Sequence, residues 1–238
     1  MLPAHARRTR SKSLPKRERK CRVLVLSSPK GGTGKTTFTQ NLLPLIASEG
    51  LNVVGVDFDP QGTLTKWARR REQTAAKRRD VQTFDILPAN INDWGKVLEA
   101  IRDYDLALID MLPSVDHCIA EVHGICGEAD LIMVTTGATM SDLDSTGPWI
   151  EQLLNLGFNV TTCMNRANRR ETFFEAARAQ LNRLGPLCPV EVRHVSDAHA
   201  YSIDGLAAVD RSKSKARSDF AAVWDYLRRE MKVEVQGE

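Results

Sequence analysis

The chain has 238 residues, 42% of them hydrophobic, with 33 Lys and Arg against 30 Asp and Glu for a formal net charge of +3. That is enough apolar material for one large domain or two small ones, yet no stretch reaches the roughly 18 apolar residues that a membrane span needs. Five cysteines, at 21, 118, 126, 163 and 188, form an odd set without framework spacing, which argues against a disulfide scaffold and for a reduced, cytoplasmic compartment.

The charge is unevenly placed. Residues 1–22 hold nine Lys/Arg and one Glu, about +8, which leaves the rest near −5. The opening MLPAHARRTRSKSLPKRERK has no apolar core and does not read as a secretory signal. Residues 1–21 are expected to be a basic tail, disordered by composition. It is either simply solvated or an arm that neutralises nucleic-acid phosphates. The folded domain is expected over 22–238.

In that domain short apolar runs alternate with helical patterns. RVLVLSS (22–28), NVVGVDF (52–58), VQTFDIL (81–87), DLALID (105–110), LIMVTT (131–136) and NVTTCMN (159–165) suit buried parallel strands. Ile91, Trp94, Val97, Leu98 and Ile101 recur at helical spacing. So do Phe173, Ala177, Leu181 and Leu184, and later Phe220, Val223, Trp224, Leu227 and Met231. The alternation predicts a doubly wound, mainly parallel α/β domain. Pro44 falls inside the helix expected after the first strand and is expected to kink or shorten it.

The first strand runs into PKGGTGKTT (29–37), a phosphate loop between a strand and a helix. Gly31, Gly32 and Gly34, with Thr33 among them, allow backbone N–H groups to converge on phosphate oxygens at a helix N-terminus. Lys35 is placed to reach the β- and γ-phosphates, Thr36 to offer its hydroxyl to Mg²⁺, and Thr37 to contact the α-phosphate. The usual first glycine is replaced by Pro29, and a second cation, Lys30, precedes Lys35 by five residues.

The run K-G-G-T-G-K-T-T resembles the deviant Walker A motif of the ParA/MinD family of P-loop ATPases. The resemblance implies that Lys30 is a signature lysine, reaching across an ATP-sandwich homodimer to the partner's nucleotide. Such a second cation would offset charge developing in phosphoryl transfer, as an arginine finger does. VVGVDFDPQG (53–62) is similar to the family's second signature. It implies that Asp59 orients the attacking water and that Asp57 lies near the metal. YDLALIDMLPS (104–114) looks like Walker B, with Asp110 at the Mg²⁺ shell through water. Its Asp-Met-Leu-Pro departs from the family's usual D-x-P-P or D-x-A-P. MNRANRR (164–170) has Asn168 where a guanine reader would have its carboxylate. The family implies instead that Asn165 contacts adenine.

Three further basic clusters stand out: Lys66 to Arg79, Arg166 to Arg170, and Arg211 to Arg217. A charge run is ordinarily a solvated face. The resemblance implies nonspecific binding of double-stranded DNA through Arg193, Arg211, Lys213, Lys215 and Arg217. For the cluster at 66–79, a solvated face and a DNA or partner surface stay open. His117, Cys118, His123 and Cys126 do not match a zinc-finger spacing. The amphipathic last helix is not read as a membrane anchor, because Trp224 should pack on the body and the chain ends acidic and polar. Compared with the family, the chain is closest to small plasmid-partition ParA proteins, with VirC1-like conjugation factors also close. That implies an ATP- and Mg²⁺-dependent homodimer associated with the nucleoid, whose hydrolysis a centromere-binding, ParB-like adaptor stimulates. A VirC1-like conjugation accessory ATPase that assembles on transfer-origin DNA, positioning of a protein cargo, and a nucleotide-gated scaffold with negligible turnover are the rival readings.

Overall fold

The computed structural model describes residues 21–114 and 117–234, so nearly all of the basic tail read at 1–21 lies outside the described residues. Six strands form one parallel sheet: β1 (Arg22–Ser27), β2 (Val53–Asp57), β3 (Asp85–Pro88), β4 (Leu106–Asp110), β5 (Leu131–Thr136) and β6 (Val160–Met164), in the order β3-β2-β4-β1-β5-β6. Seven helices connect and flank them: α1 (Lys35–Ser48), α2 (Thr63–Ala75), α3 (Trp94–Ala100), α4 (Ile119–Glu128), α5 (Met140–Asn155), α6 (Phe174–Leu184) and α7 (Arg217–Glu230).

Strands β2, β4, β5 and β6 are buried along their whole length because both faces are covered, whereas β3 at the edge is not. Val23 and Val25 join a core with α3, α4, α5 and α6. Leu24 and Leu26, pointing the other way, join a core with α1, α2 and α7. The chain winds outward from β1 to β3, then returns to place β4 and β5 on either side of β1. A ligand crevice is expected at the carboxyl end of β1, where the winding reverses.

Trp224 is buried, and its indole N–H donates to Glu49 at 2.7 Å. Three local expectations are corrected, and one element is added. The strand expected over 81–87 begins only at Asp85. The reason is Arg71, whose Nε captures the Gln82 carbonyl at 2.7 Å before any ladder can. Pro44 does not shorten α1, which runs four residues beyond it. The fully buried Leu42, Leu43 and Ile46 around it offset the lost backbone bond. Phe173 is not on the buried face of α6 but stands 61% exposed just before it. Helix α5 is an addition to the expected elements, since Gly147-Pro148 interrupts its pattern.

A braced segment follows β6. Residues 196–210 form three 3₁₀ turns held against α1 and α2. Asn41 of α1 donates to the Ala198 carbonyl and accepts from the Ala208 N–H. Arg71 of α2 is 2% exposed, lies 5.3 Å from the rings of Trp67 and Phe84, and pairs twice with Asp210 at 2.6 and 2.9 Å. Gly205 has φ +69°, and a Cβ there would meet the Arg71 backbone nitrogen at 2.0 Å. Gly205→Ala is therefore expected to lower stability by about 2–4 kcal/mol, from left-handed strain plus a backbone clash. Urea unfolding measures it, and an unchanged midpoint would mean that the segment backs away from α2 freely.

Candidate functional site

Residues 28–34 leave β1 and turn into α1 at the reversal of winding. Gly34 takes φ +107° at the N-cap, and Gly32 takes +75°. The first turn of α1 contains no acidic residue, so nothing from within the helix offsets its positive end. The loop is fixed from behind. Asn165, just past β6, donates from Nδ2 to the Thr33 carbonyl at 2.8 Å. Its amide sits so close that a Cβ on Gly34 would lie 2.0 Å from Nδ2. Thr33 also shares a 3.0 Å hydroxyl contact with Thr135 at the end of β5. Asn165 thus buttresses the loop with its donor, a role that the adenine reading did not include.

Lys35 is 6% exposed, with Nζ 3.4 and 3.5 Å from the carbonyls of Lys30 and Ser28. Burial pulls its pKa below the ordinary lysine value, against the opposing charges of Asp110 and Asp59.

Strand register assembles the acids. Asp57 pairs with Asp110 across β2 and β4, and Asp110 with Leu26 across β4 and β1. Asp57 is anchored: Oδ2 accepts from the N–H and hydroxyl of Thr65 at 2.8 and 2.7 Å, and Oδ1 from the Asp59 N–H at 3.2 Å. Asp59 closes its own turn by accepting from the Gln61 N–H at 2.9 Å. Asp110 differs. It is 1% exposed, and neither carboxylate oxygen has a hydrogen-bonding partner among the described residues. Burial pushes its pKa from 3.8 up to about 7; the Thr36 side chain pulls the other way, the Asp57 charge adds to the rise, Lys35 opposes it, and Asp59 adds again.

This orphaned carboxylate tests whether the residues fit a metal. The oxygens of Asp110, Asp57 and Thr36, beside an ammonium, form a hard, anionic donor set suited to Mg²⁺ with phosphate and water completing the shell. Among the described residues no group of three or more His, Cys, Asp or Glu is arranged to hold a metal by itself. His123 instead stacks on Trp149, with ring centroids 6.2 Å apart.

Lys30 does not point at Lys35. Its Nζ donates to Asp142 Oδ1 at 2.9 Å and to the Ser141 hydroxyl at 3.0 Å, at the start of α5. Thr139 caps that helix by accepting from the Asp142 N–H, and its hydroxyl donates back to Asp142 Oδ2 at 2.7 Å. Burial works against the Asp142 charge, but the Thr139 hydroxyl and Lys30 outweigh it and hold the carboxyl below its ordinary range. Sequence reasoning missed Ser141 and Asp142. The signal was present in Thr139-x-x-Asp142, a helix-start pattern.

The five residues read as DNA contacts are spread over one neighbourhood but are not equivalent. Arg193 is exposed, yet its guanidinium is taken up by Asp219, with bonds of 2.7, 2.8 and 3.1 Å, and by the Lys215 carbonyl. Arg217 donates to the Val209 carbonyl at 2.6 Å. Arg211 lies 5.4 Å over the Tyr201 ring, while Lys213 and Lys215 are exposed. In the 66–79 cluster Arg71 is interior, whereas Lys66, Arg69, Lys77 and Arg79 are exposed.

The CobQ/CobB/MinD/ParA nucleotide binding domain matches residues 24–203, three quarters of the chain. The chain belongs to this family. Among its relatives, the maintenance of carboxysome distribution protein A of Halothiobacillus neapolitanus is 27% identical over 191 residues, covering 78% of this chain and 85% of that one. The chromosome-partitioning ATPase Soj of Thermus thermophilus is 34% identical over 119 residues, 40% of this chain and 48% of that one. The septum site-determining protein MinD from Pyrococcus horikoshii, solved with Mg-ADP, superposes with a TM-score of 0.72 at 21% identity, covering 91% of this chain and 100% of that one. The six-stranded parallel sheet and its helical layers are thus those of the ParA/MinD fold. No helix among the described residues is long and apolar enough to cross a membrane.

Proposed function

We propose that this ParA/MinD-type protein is an ATPase that dimerises on Mg-ATP, binds double-stranded DNA without sequence preference as the dimer, and is reset by hydrolysis. The observation that carries this reading is the pair of lysines on one phosphate loop, one buried against the acids and one held aside by Asp142. In this reading Lys35 and the N–H groups of residues 31–36 bind the triphosphate. Thr37 contacts the α-phosphate, and Asn165 both braces the loop and contacts adenine. Thr36, Asp57 and Asp110 would hold Mg²⁺, which when bound supplies charge neutralisation at the phosphate oxygens. Asp59 orients water, and Lys30 exchanges Asp142 for the partner's nucleotide. The ATPase domain is assigned to residues 22–238, with the basic stretch before it outside that assignment.

Asp59→Ala is expected to leave ATP binding within several-fold while slowing turnover roughly 100-fold or more, because the phosphate contacts stay and the water loses its orienting group. The variant should persist on DNA in ATP. Phosphate-release kinetics decide this, and unchanged turnover would remove Asp59 from the mechanism.

The DNA surface is assigned to Arg211, Lys213 and Lys215, since Arg193 is already engaged by Asp219. Reversing these three to Glu should weaken binding to all sequences alike. It should also flatten the logarithmic salt slope by about 0.9 for each DNA phosphate that is no longer neutralised. ATP-driven dimerisation should survive. If removing residues 1–20 abolishes binding while the reversals do nothing, the tail is the DNA site.

The cargo is proposed to be plasmid or chromosomal DNA carried through a centromere-binding adaptor that stimulates hydrolysis. A second reading, positioning of a protein body over the nucleoid, is favoured by a relative that matches most of the chain, a carboxysome distribution protein. Co-purification with an adaptor encoded beside this gene, followed by a test of that adaptor on specific DNA, separates the two.

A further inference from the structure

Beyond β6 the chain adds a short stretch to the sheet edge. The Thr162 N–H donates to the Pro186 carbonyl at 2.9 Å, and the Cys188 N–H to the Thr162 carbonyl at 2.8 Å, pairing Thr162 with Leu187 in parallel. That register places Cys163 opposite Cys188 on the same face, a backbone separation within the range that disulfides span. Both side chains lie in the core shared with α1 and α7, 0% and 4% exposed, and the Cys163 thiol leans toward the same stretch, donating to the Val190 carbonyl two residues beyond Cys188 at 3.7 Å.

We propose that Cys163 and Cys188 are a thiol pair that hydrogen peroxide converts, reversibly, to an intramolecular disulfide. The two thiols are not equivalent. The neighbouring Cys163 draws the Cys188 thiol below the ordinary cysteine value despite its burial, and the same neighbour with burial pushes Cys163 up. Cys188 is therefore the first to attack. Its sulfur takes one peroxide oxygen, the O–O bond breaks, and one water leaves. Cys163 then attacks the sulfenic sulfur, the S–S bond forms, and the second water leaves. Two thiols lose two electrons and two protons, and one peroxide accepts them.

Access comes from the position of the pair. The stretch lies at the open edge of the sheet, between Pro186 and Pro189, and only two backbone bonds hold it to Thr162. Local opening there is far cheaper than global unfolding. The bond would rivet the segment that continues through Val192, bonded to Met164 and Ala167, to the strand that leads into Asn165 under the phosphate loop.

The test uses the wild-type protein. It is treated with hydrogen peroxide, denatured in an alkylating agent, digested and mapped. The expected result is a Cys163–Cys188 linked peptide that dithiothreitol releases. With it should come a melting temperature raised by roughly 5–10 °C, as for a cross-link closing a loop of this size without strain. Cys188→Ala should lose both and leave Cys163 reduced. The proposal is overturned if both thiols stay alkylatable at peroxide levels that oxidise the half-buried Cys118. It is equally overturned if the link forms only in urea, or if its formation lowers the melting temperature.

Discussion

Lys35→Ala is expected to abolish useful ATP binding, while Lys30→Ala keeps it within several-fold and loses the dimer. Lys35 is desolvated and faces the loop interior, so its ammonium gives a triphosphate its full charge in a low-dielectric site. Removing one partner of such a buried contact costs about 2–5 kcal/mol, or roughly 30- to several-thousand-fold in affinity. Lys30 is half-exposed and bound to Asp142 and Ser141 on another element, so it contributes little to nucleotide held by its own loop. Calorimetric titration with ATP and sedimentation with ATP measure the two effects. If Lys30→Ala forms ATP dimers with normal turnover, the sandwich assignment fails.

Asp110→Asn is expected to raise the stability of the nucleotide-free protein at pH 8 while removing Mg²⁺-dependent ATP binding. The folded protein holds the Asp110 proton up to about pH 7, well above the ordinary 3.8. Wild-type stability therefore falls as pH rises from about 4 through about 7, because the folded state must ionise a buried, unpartnered carboxyl. Asparagine removes that cost, so the gain should be largest above pH 7, of order 1–4 kcal/mol, and vanish near pH 4. Thermal unfolding in chelator across that range gives the stability arm. Equal melting of variant and wild type at pH 8 would mean that water already solvates the carboxylate.

Both predictions start from motifs that were legible because they are contiguous. A phosphate loop packs glycines, lysines and threonines into nine residues, and each acidic motif ends an apolar strand, so local pattern and role coincide. The central strands were legible for a related reason, since burial on both faces confines charged residues to their ends. Contacts between distant residues were not. Lys30 and Asp142 are 112 residues apart and meet only because β1 and β5 are neighbours. Arg71 reads as surface charge until Asp210 is placed beside it, and Arg193, though exposed, reads as a free cation until Asp219 is. The late start of β3 follows from the same Arg71, which no strand propensity contains.

The braces that Asn41 and Arg71 make to residues 198–210 also bear on thermodynamic linkage. They join the helix that begins at the phosphate loop, and the helix that begins after Asp59, to the segment leading into Arg211, Lys213 and Lys215. If ATP raises DNA affinity by some factor through these struts, DNA must raise ATP affinity by the same factor. A weakened strut, such as Asp210→Asn, would shrink both factors together and leave each ligand's solitary affinity nearly unchanged. The protein would then read nucleotide and DNA as two independent signals.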